Sequence, residues 1–146
     1  MKRHLNIPMA MIIVAGVLTI SAQAQTSSAQ KVIATIPFAF NVGETRLPAG
    51  KYTITVANPT SDRKILQIRS ANGRSSAMTV TTSVVGNVAD KTKLVFQRYG
   101  DRYFFAQTQM AGDPTSLAAV KSKAERAEQQ TLARTSKKSV VVVIAE

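Results

Sequence analysis

Apolar residues follow two rhythms along this chain. From Ile7 to Ile20 they run almost unbroken, with only Pro8 and Thr19 intervening. From Lys31 onward they alternate with polar residues, the period of a strand half-buried in a sheet. Val32–Ile36 is β-branched and leads through Pro37 into Phe38-Ala39-Phe40. Asn41-Val42-Gly43-Glu44 and Leu47-Pro48-Ala49-Gly50 carry turn chemistry, glycine supplying positive φ and proline pre-setting a bend. Tyr52–Val56 alternates strictly and predicts Tyr52, Ile54 and Val56 on one face, until Asn58–Asp62 breaks the pattern. Ile65–Arg69 is the next predicted strand. It is followed by Asn72-Gly73, a hairpin signal because both residues tolerate positive φ, and by a return over Ala77–Thr82. Beyond Gly86-Asn87, Leu94–Tyr99 and Arg102–Gln107 predict a second hairpin around Gly100-Asp101.

Val140–Ile144 is a continuous apolar run, a hazard unless paired on both sides. Lys137 and Lys138 stand beside it as charged gatekeepers. The run is predicted to close the sheet against the first strand. About seven strands at this spacing, joined by short turns, predict a mainly β fold, an antiparallel barrel or sandwich. One surface helix is predicted near residues 122–134. Ser122-Lys123-Ala124-Glu125 fits a capping box, with Ser122 as N-cap and Glu125 reaching back to its amide. The apolar face of that helix is thin: Ala124, Ala127 and Leu132.

The first apolar run has a different meaning. Lys2, Arg3 and His4 precede it, and Ser21-Ala22-Gln23-Ala24 follows as a small-x-small cleavage pattern. Positive start, apolar run and small residues, in that order, read as a cleavable signal peptide over residues 1–24. The run is short of the roughly 20 residues that a helix needs to cross a bilayer. Residues 25–30 read as a short polar tether and residues 31–146 as a single β-rich domain. The chain is thus expected to be exported, to the periplasm or beyond the cell, with no membrane span once the signal is cleaved.

Composition then narrows the chemistry. The formal net charge is +11, and it falls to about +9 without Lys2 and Arg3. The charges are spread along the chain rather than clustered, which argues against nucleic acid as a partner. The single histidine, His4, lies in the signal, and the chain has no cysteine. The exported domain therefore has no Ser-His-Asp triad, no Cys-His pair and no zinc or copper site built on imidazole or thiolate. No cofactor, metal or catalytic residue is expected.

Eight carboxylates remain: Glu44, Asp62, Asp90, Asp101, Asp113, Glu125, Glu128 and Glu146. A glycosidase-like pair, such as Asp101 with Asp90 or Glu44, needs two of them roughly 5 to 10 Å apart across a sugar. Glu44 and Asp101 sit in turn sequences, and Asp62 and Asp113 beside loop serines or prolines, where acidic residues form turns. The segment Arg98-Tyr99-Gly100-Asp101-Arg102-Tyr103 interleaves cations with aromatics. Arg98, Tyr99, Asp101, Arg102 and Tyr103 are therefore the candidate binding surface, a stacking platform for bases or sugars. The competing reading is a hairpin with one face in the core and one in water.

Several words of the sequence resemble a family of small exported proteins of environmental Gram-negative bacteria. They are Ile36-Pro37-Phe38-Ala39-Phe40-Asn41-Val42-Gly43, Leu47-Pro48-Ala49-Gly50-Lys51-Tyr52, Leu94–Asp101 and Lys121-Ser122-Lys123-Ala124-Glu125-Arg126. The resemblance covers roughly residues 31 to 128. It implies export and a compact β-rich domain, and it carries over no catalytic residue. The leading expectation is a non-enzymatic binding or structural domain of the cell envelope or extracellular space. Its expected partner is an anionic envelope polymer or another envelope protein. The alternatives are a carboxylate-dependent hydrolase acting on polysaccharide and a carrier of a small apolar ligand.

Overall fold

The computed structural model describes residues 30–132 and 138–146. The predicted signal peptide, the tether up to residue 29, the predicted helix beyond Leu132, and Lys137 lie outside the described residues. Alternation along the chain becomes strand after strand: β1 (Lys31–Ile36), β2 (Phe40–Val42), β3 (Thr45–Leu47), β4 (Gly50–Val56), β5 (Ile65–Ser70) and β6 (Ser76–Val85). They are followed by β7 (Lys93–Tyr99), β8 (Arg102–Gln109), β9 (Thr115–Ala119), the helix α1 (Lys123–Leu132) and β10 (Ser139–Ile144). The fold is mainly β. No helix among the described residues is long and apolar enough to cross a membrane.

Antiparallel pairing runs β1-β4-β5-β6-β9-β8-β7-β10, and the β2–β3 hairpin joins β8 through one parallel contact, Asn41 with Phe104. β6 holds the two halves together. Its first five residues pair with β5, from Ser76 opposite Arg69 to Val80 opposite Ile65. Its last five pair with β9, from Thr81 opposite Ala119 to Val85 opposite Thr115. At the changeover Thr81 is fully buried, and both its amide and its hydroxyl donate to the Lys64 carbonyl, at 2.9 and 2.8 Å. A backbone that changes partners at this point needs such extra bonds, because a buried amide without one costs about as much as a lost hydrogen bond.

The sheet does not close into a barrel, and the arrangement is sandwich-like. Contrary to the prediction, the apolar run of β10 does not pair along the first strand. It pairs with β7 over its whole length, and just beyond it Glu146 bonds β1, its amide donating to the Ile33 carbonyl at 2.9 Å and its carboxylate accepting from the Thr35 hydroxyl. Pairing on one side leaves β10 with two unlike faces: Val141 and Val143 pack on the core, while Val140, Val142 and Ile144 are exposed.

Inward positions of both halves make one core. Val32, Ala34, Ile36, Tyr52, Ile54, Leu66 and Ile68 come from one side; Leu94, Phe96, Phe105 and Leu117 come from the other. Phe96 is fully buried and meets Phe38, Phe40 and Phe105 edge-on, with ring centroids 5.2, 5.3 and 5.8 Å away. Tyr52 meets Phe40 in the same way at 5.2 Å and donates its hydroxyl to the Pro48 carbonyl at 2.6 Å.

Both predicted hairpins form. Gly100, at φ 60°, turns β7 into β8. The β5–β6 turn is wider than a two-residue loop: the Ser70 amide donates to the Ser75 carbonyl at 2.8 Å. Only Gly73 takes positive φ there. Asn72 works through its side chain, its Oδ1 accepting from the Ser70 hydroxyl at 2.7 Å and from the Arg74 amide at 3.0 Å. Replacing the central aromatic ring is expected to be severe. Phe96→Ala should lower unfolding free energy by about 3 to 5 kcal/mol, read from urea denaturation.

Candidate functional site

The hairpin of cations and aromatics is pinned from two sides. Residues paired across β7 and β8 share a face, so Arg98 lies beside Tyr103, and Tyr99 beside Arg102. On the core side Tyr103 stacks on Phe38, centroids 4.0 Å apart, and the Arg98 guanidinium lies over the Tyr103 ring at 5.5 Å. Arg98 also donates to the Gly100 carbonyl at 2.7 Å and stands 3.9 Å from the Asp101 carboxylate at the exposed tip. On the other side Tyr99 is buried beside Phe104 and donates its hydroxyl to Glu125 of α1 at 3.2 Å. Arg102 lies over Phe104 and bonds Glu128 of the same helix. Of the five candidate residues, only Asp101 projects freely into water; the other four hold the hairpin to the helix or to the core edge.

The helix cap departs from the predicted box. Ser122 Oγ does accept from the Glu125 amide, at 3.0 Å. The Glu125 side chain, however, turns inward to Tyr99, and Glu44 caps the next amides instead. That carboxylate, in the β2–β3 turn, accepts from the Lys123 amide at 2.8 Å. A carboxylate at this end also suits the positive pole of the helix. Burial raises the affinity of Glu125 for its proton, against the Tyr99 hydrogen bond and the charges of Lys121 and Lys138, which lower it. Burial pushes the Tyr99 hydroxyl up to about 12, helped by the Glu125 charge and hydrogen bond.

The remaining acids are dispersed. Glu146 bonds Lys51 Nζ at 2.6 Å and the Thr35 hydroxyl at 2.8 Å, contacts that hold it below the ordinary carboxylate range. Asp113 Oδ1 accepts from the Thr115 amide at 2.7 Å in its own turn. Asp62, Asp90 and Asp101 are exposed.

Two recesses lie on opposite faces of the same three strands. On the outer face of β1, β4 and β5, Lys31, Thr53, Thr55, Gln67, Arg69 and Ser70 surround an open recess of about 410 Å³, with Ala71 at its end. Register places Lys31 beside Thr55 and Thr55 beside Gln67, with Thr53 beside Arg69 in the next row. On the inner face, Val32, Ile54, Val56 and Leu66 look across at Thr108, Met110, Thr115 and Leu117 around a cavity of about 180 Å³. Gln30, Lys64 and Asp113 line its more exposed part. Thr108 is buried, and its hydroxyl has no hydrogen-bond partner among the described residues. Apart from Asp113, one of the eight carboxylates weighed, none of these lining residues was a sequence candidate. The signal that marks the outer ones is the alternation, although Ile33 and Ile65 interrupt its polar half in β1 and β5.

Comparison with protein-family models, curated proteins and solved structures gives no match to this chain.

The buried Tyr99–Glu125 contact generates a pH prediction. A carboxyl whose folded affinity for protons is raised adds stability while protonated, and that contribution is lost as pH rises through the raised value. Glu125→Gln should therefore be more stable than the parent at pH 7, with the gap closing as pH falls through the raised value and closed by about pH 4.3, the ordinary glutamate value. Tyr99→Phe should cost about 1 to 3 kcal/mol at pH 7, because it leaves the charged carboxylate without its donor, and less in acid. Urea denaturation across this pH range reads both.

Proposed function

We propose that this protein is a non-enzymatic binding domain of the cell envelope, and that the outer face of β1, β4 and β5 holds an anionic polymer such as an acidic polysaccharide. One observation carries the reading. The outer recess is lined by two cations, three hydroxyls and an amide, and by no carboxylate. Cations supply attraction to carboxylate or phosphate groups along a polymer, while hydroxyls and amides match the hydroxyls of sugars. The neighbouring cation, Lys51, is neutralised by Glu146. Positive potential is thereby concentrated on Lys31 and Arg69, on a chain whose formal net charge is +11.

The recess is three strands wide, roughly 10 Å, the span of a polymer chain rather than a deep pocket for one sugar. Open sites with exposed charges bind weakly one by one and gain from many contacts along a polymer. A binding role also agrees with the placement of the acids. The outer recess holds no carboxylate, the inner cavity only Asp113, and the recess beside Val88 and Ile144 only Asp90, whereas hydrolysis of a glycosidic bond by paired acids requires two.

Immobilised polygalacturonate should retain the purified protein at low salt, and dextran should not. Retention should fall steeply once ionic strength shortens the screening length to about 10 Å, near 0.1 M. Lys31→Ala/Arg69→Ala should weaken binding about tenfold, while Lys121→Ala/Lys123→Ala, with the same charge change at the helix start, should leave it unaltered. Equal loss in both double variants, or release of sugar by the purified protein, overturns the reading.

A further inference from the structure

The inner cavity has the size of a ligand site, a largely apolar inner wall and one buried polar anchor, and nothing in the polymer reading uses it. We propose that it binds a neutral, single-ring molecule carrying one hydroxyl, of the phenol class.

Size sets the first limit. An apolar protein cavity of about 150 Å³ stays dry and takes up benzene, and the space here is about 180 Å³. Drug-sized ligands occupy roughly 300 Å³ or more, so a long acyl chain does not fit. A substituted ring does.

Lining sets the second. Val32, Ile54 and Leu66 form one wall, and Leu117 and Met110 stand on the other. These are aliphatic and thioether surfaces that gain by covering apolar area and offer no hydrogen bond of their own. Among the polar residues of the lining, Gln30, Lys64, Thr108, Asp113 and Thr115, Thr108 alone is buried. It occupies an inward position of β8, is only 6% exposed, and its Oγ1 has no partner among the described residues. A buried hydroxyl left unpaired is costly, and a valine of the same shape would avoid that cost. A threonine hydroxyl both donates and accepts, so it matches one hydroxyl on a ligand.

Charge sets the third. Lys64 and Asp113, of opposite sign, line the same cavity, which favours a ligand without net charge. Alternation separates this site from the polymer face: Ile54 looks inward, while Thr53 and Thr55 look outward on the same strand.

Two-dimensional NMR of the purified protein, titrated with 4-methylphenol and separately with toluene, tests the assignment. 4-Methylphenol should shift the amides of Val32, Leu66 and Leu117 saturably. Thr108→Val should weaken 4-methylphenol about fivefold and leave toluene unweakened, and Thr108→Ser should keep the parent's preference. Retention of Thr108→Val on polygalacturonate should be unchanged, which separates this site from the outer face. The proposal is overturned if neither probe shifts those amides, or if Thr108→Val weakens both probes alike or neither.

Discussion

Edge-to-face packing of four aromatic rings ties together strands that hydrogen bonding leaves far apart. Tyr52 of β4 touches Phe40 of β2, Phe40 touches Phe96 of β7, and Phe96 touches Phe105 of β8. Along the ladder, β4 and β7 are separated by β5, β6, β9 and β8. The aromatic relay crosses directly from one half to the other. Each such contact adds about 0.5 to 1.5 kcal/mol beyond the area it buries. More importantly, rings packed edge-on fix the distance between the two inner faces. At the relay that distance is filled by side chains; toward Gln30, Met110 and Asp113 the facing residues are smaller or polar, and the space opens into the cavity.

A second contact layer lies behind the relay. Near Tyr99 the β7–β8 hairpin has a contact on each face, Tyr103 against Phe38 on one side and Tyr99 against α1 on the other. Its two arginines are held accordingly, Arg98 over Tyr103 and Arg102 against Glu128. The hairpin's chemistry thus serves attachment of the helix, and the helix in turn is started by Glu44 from a turn far away in sequence. Among the described residues, no helix covers the outer face of β1, β4 and β5 in this way.

Sequence periodicity was legible wherever a strand was long and buried on one face. Tyr52, Ile54 and Val56 point to one side as their spacing says, with Tyr52 and Ile54 fully buried. β2 and β3 escaped because three residues are too few to show a period. β9, Thr-Ser-Leu-Ala-Ala, has little strand preference of its own and is held extended by β6 and β8 on its two sides. The uniform run Val140–Val143 hides its alternation, because identical residues cannot reveal which of them face the core. Glu125 was read from its local capping pattern, while its inward turn depends on Tyr99, a neighbour only in the folded chain. The orphan hydroxyl of Thr108 is a property of three dimensions and has no trace in sequence.

The split pairing of β6 also orders events during synthesis. As the chain emerges, Ser76–Val80 meets β5, already made, and the meander of β1, β4, β5 and half of β6 can assemble from near neighbours. The other half of β6 has to wait until Thr115–Ala119 has been made. In that interval Val84 and Val85 stand on an open edge, the kind of surface that recruits a second chain. β10 arrives later still, to cover the free side of β7. The vulnerable moment in the life of this domain therefore falls midway through its birth, and anything that shields a nascent apolar edge would act on β6 first.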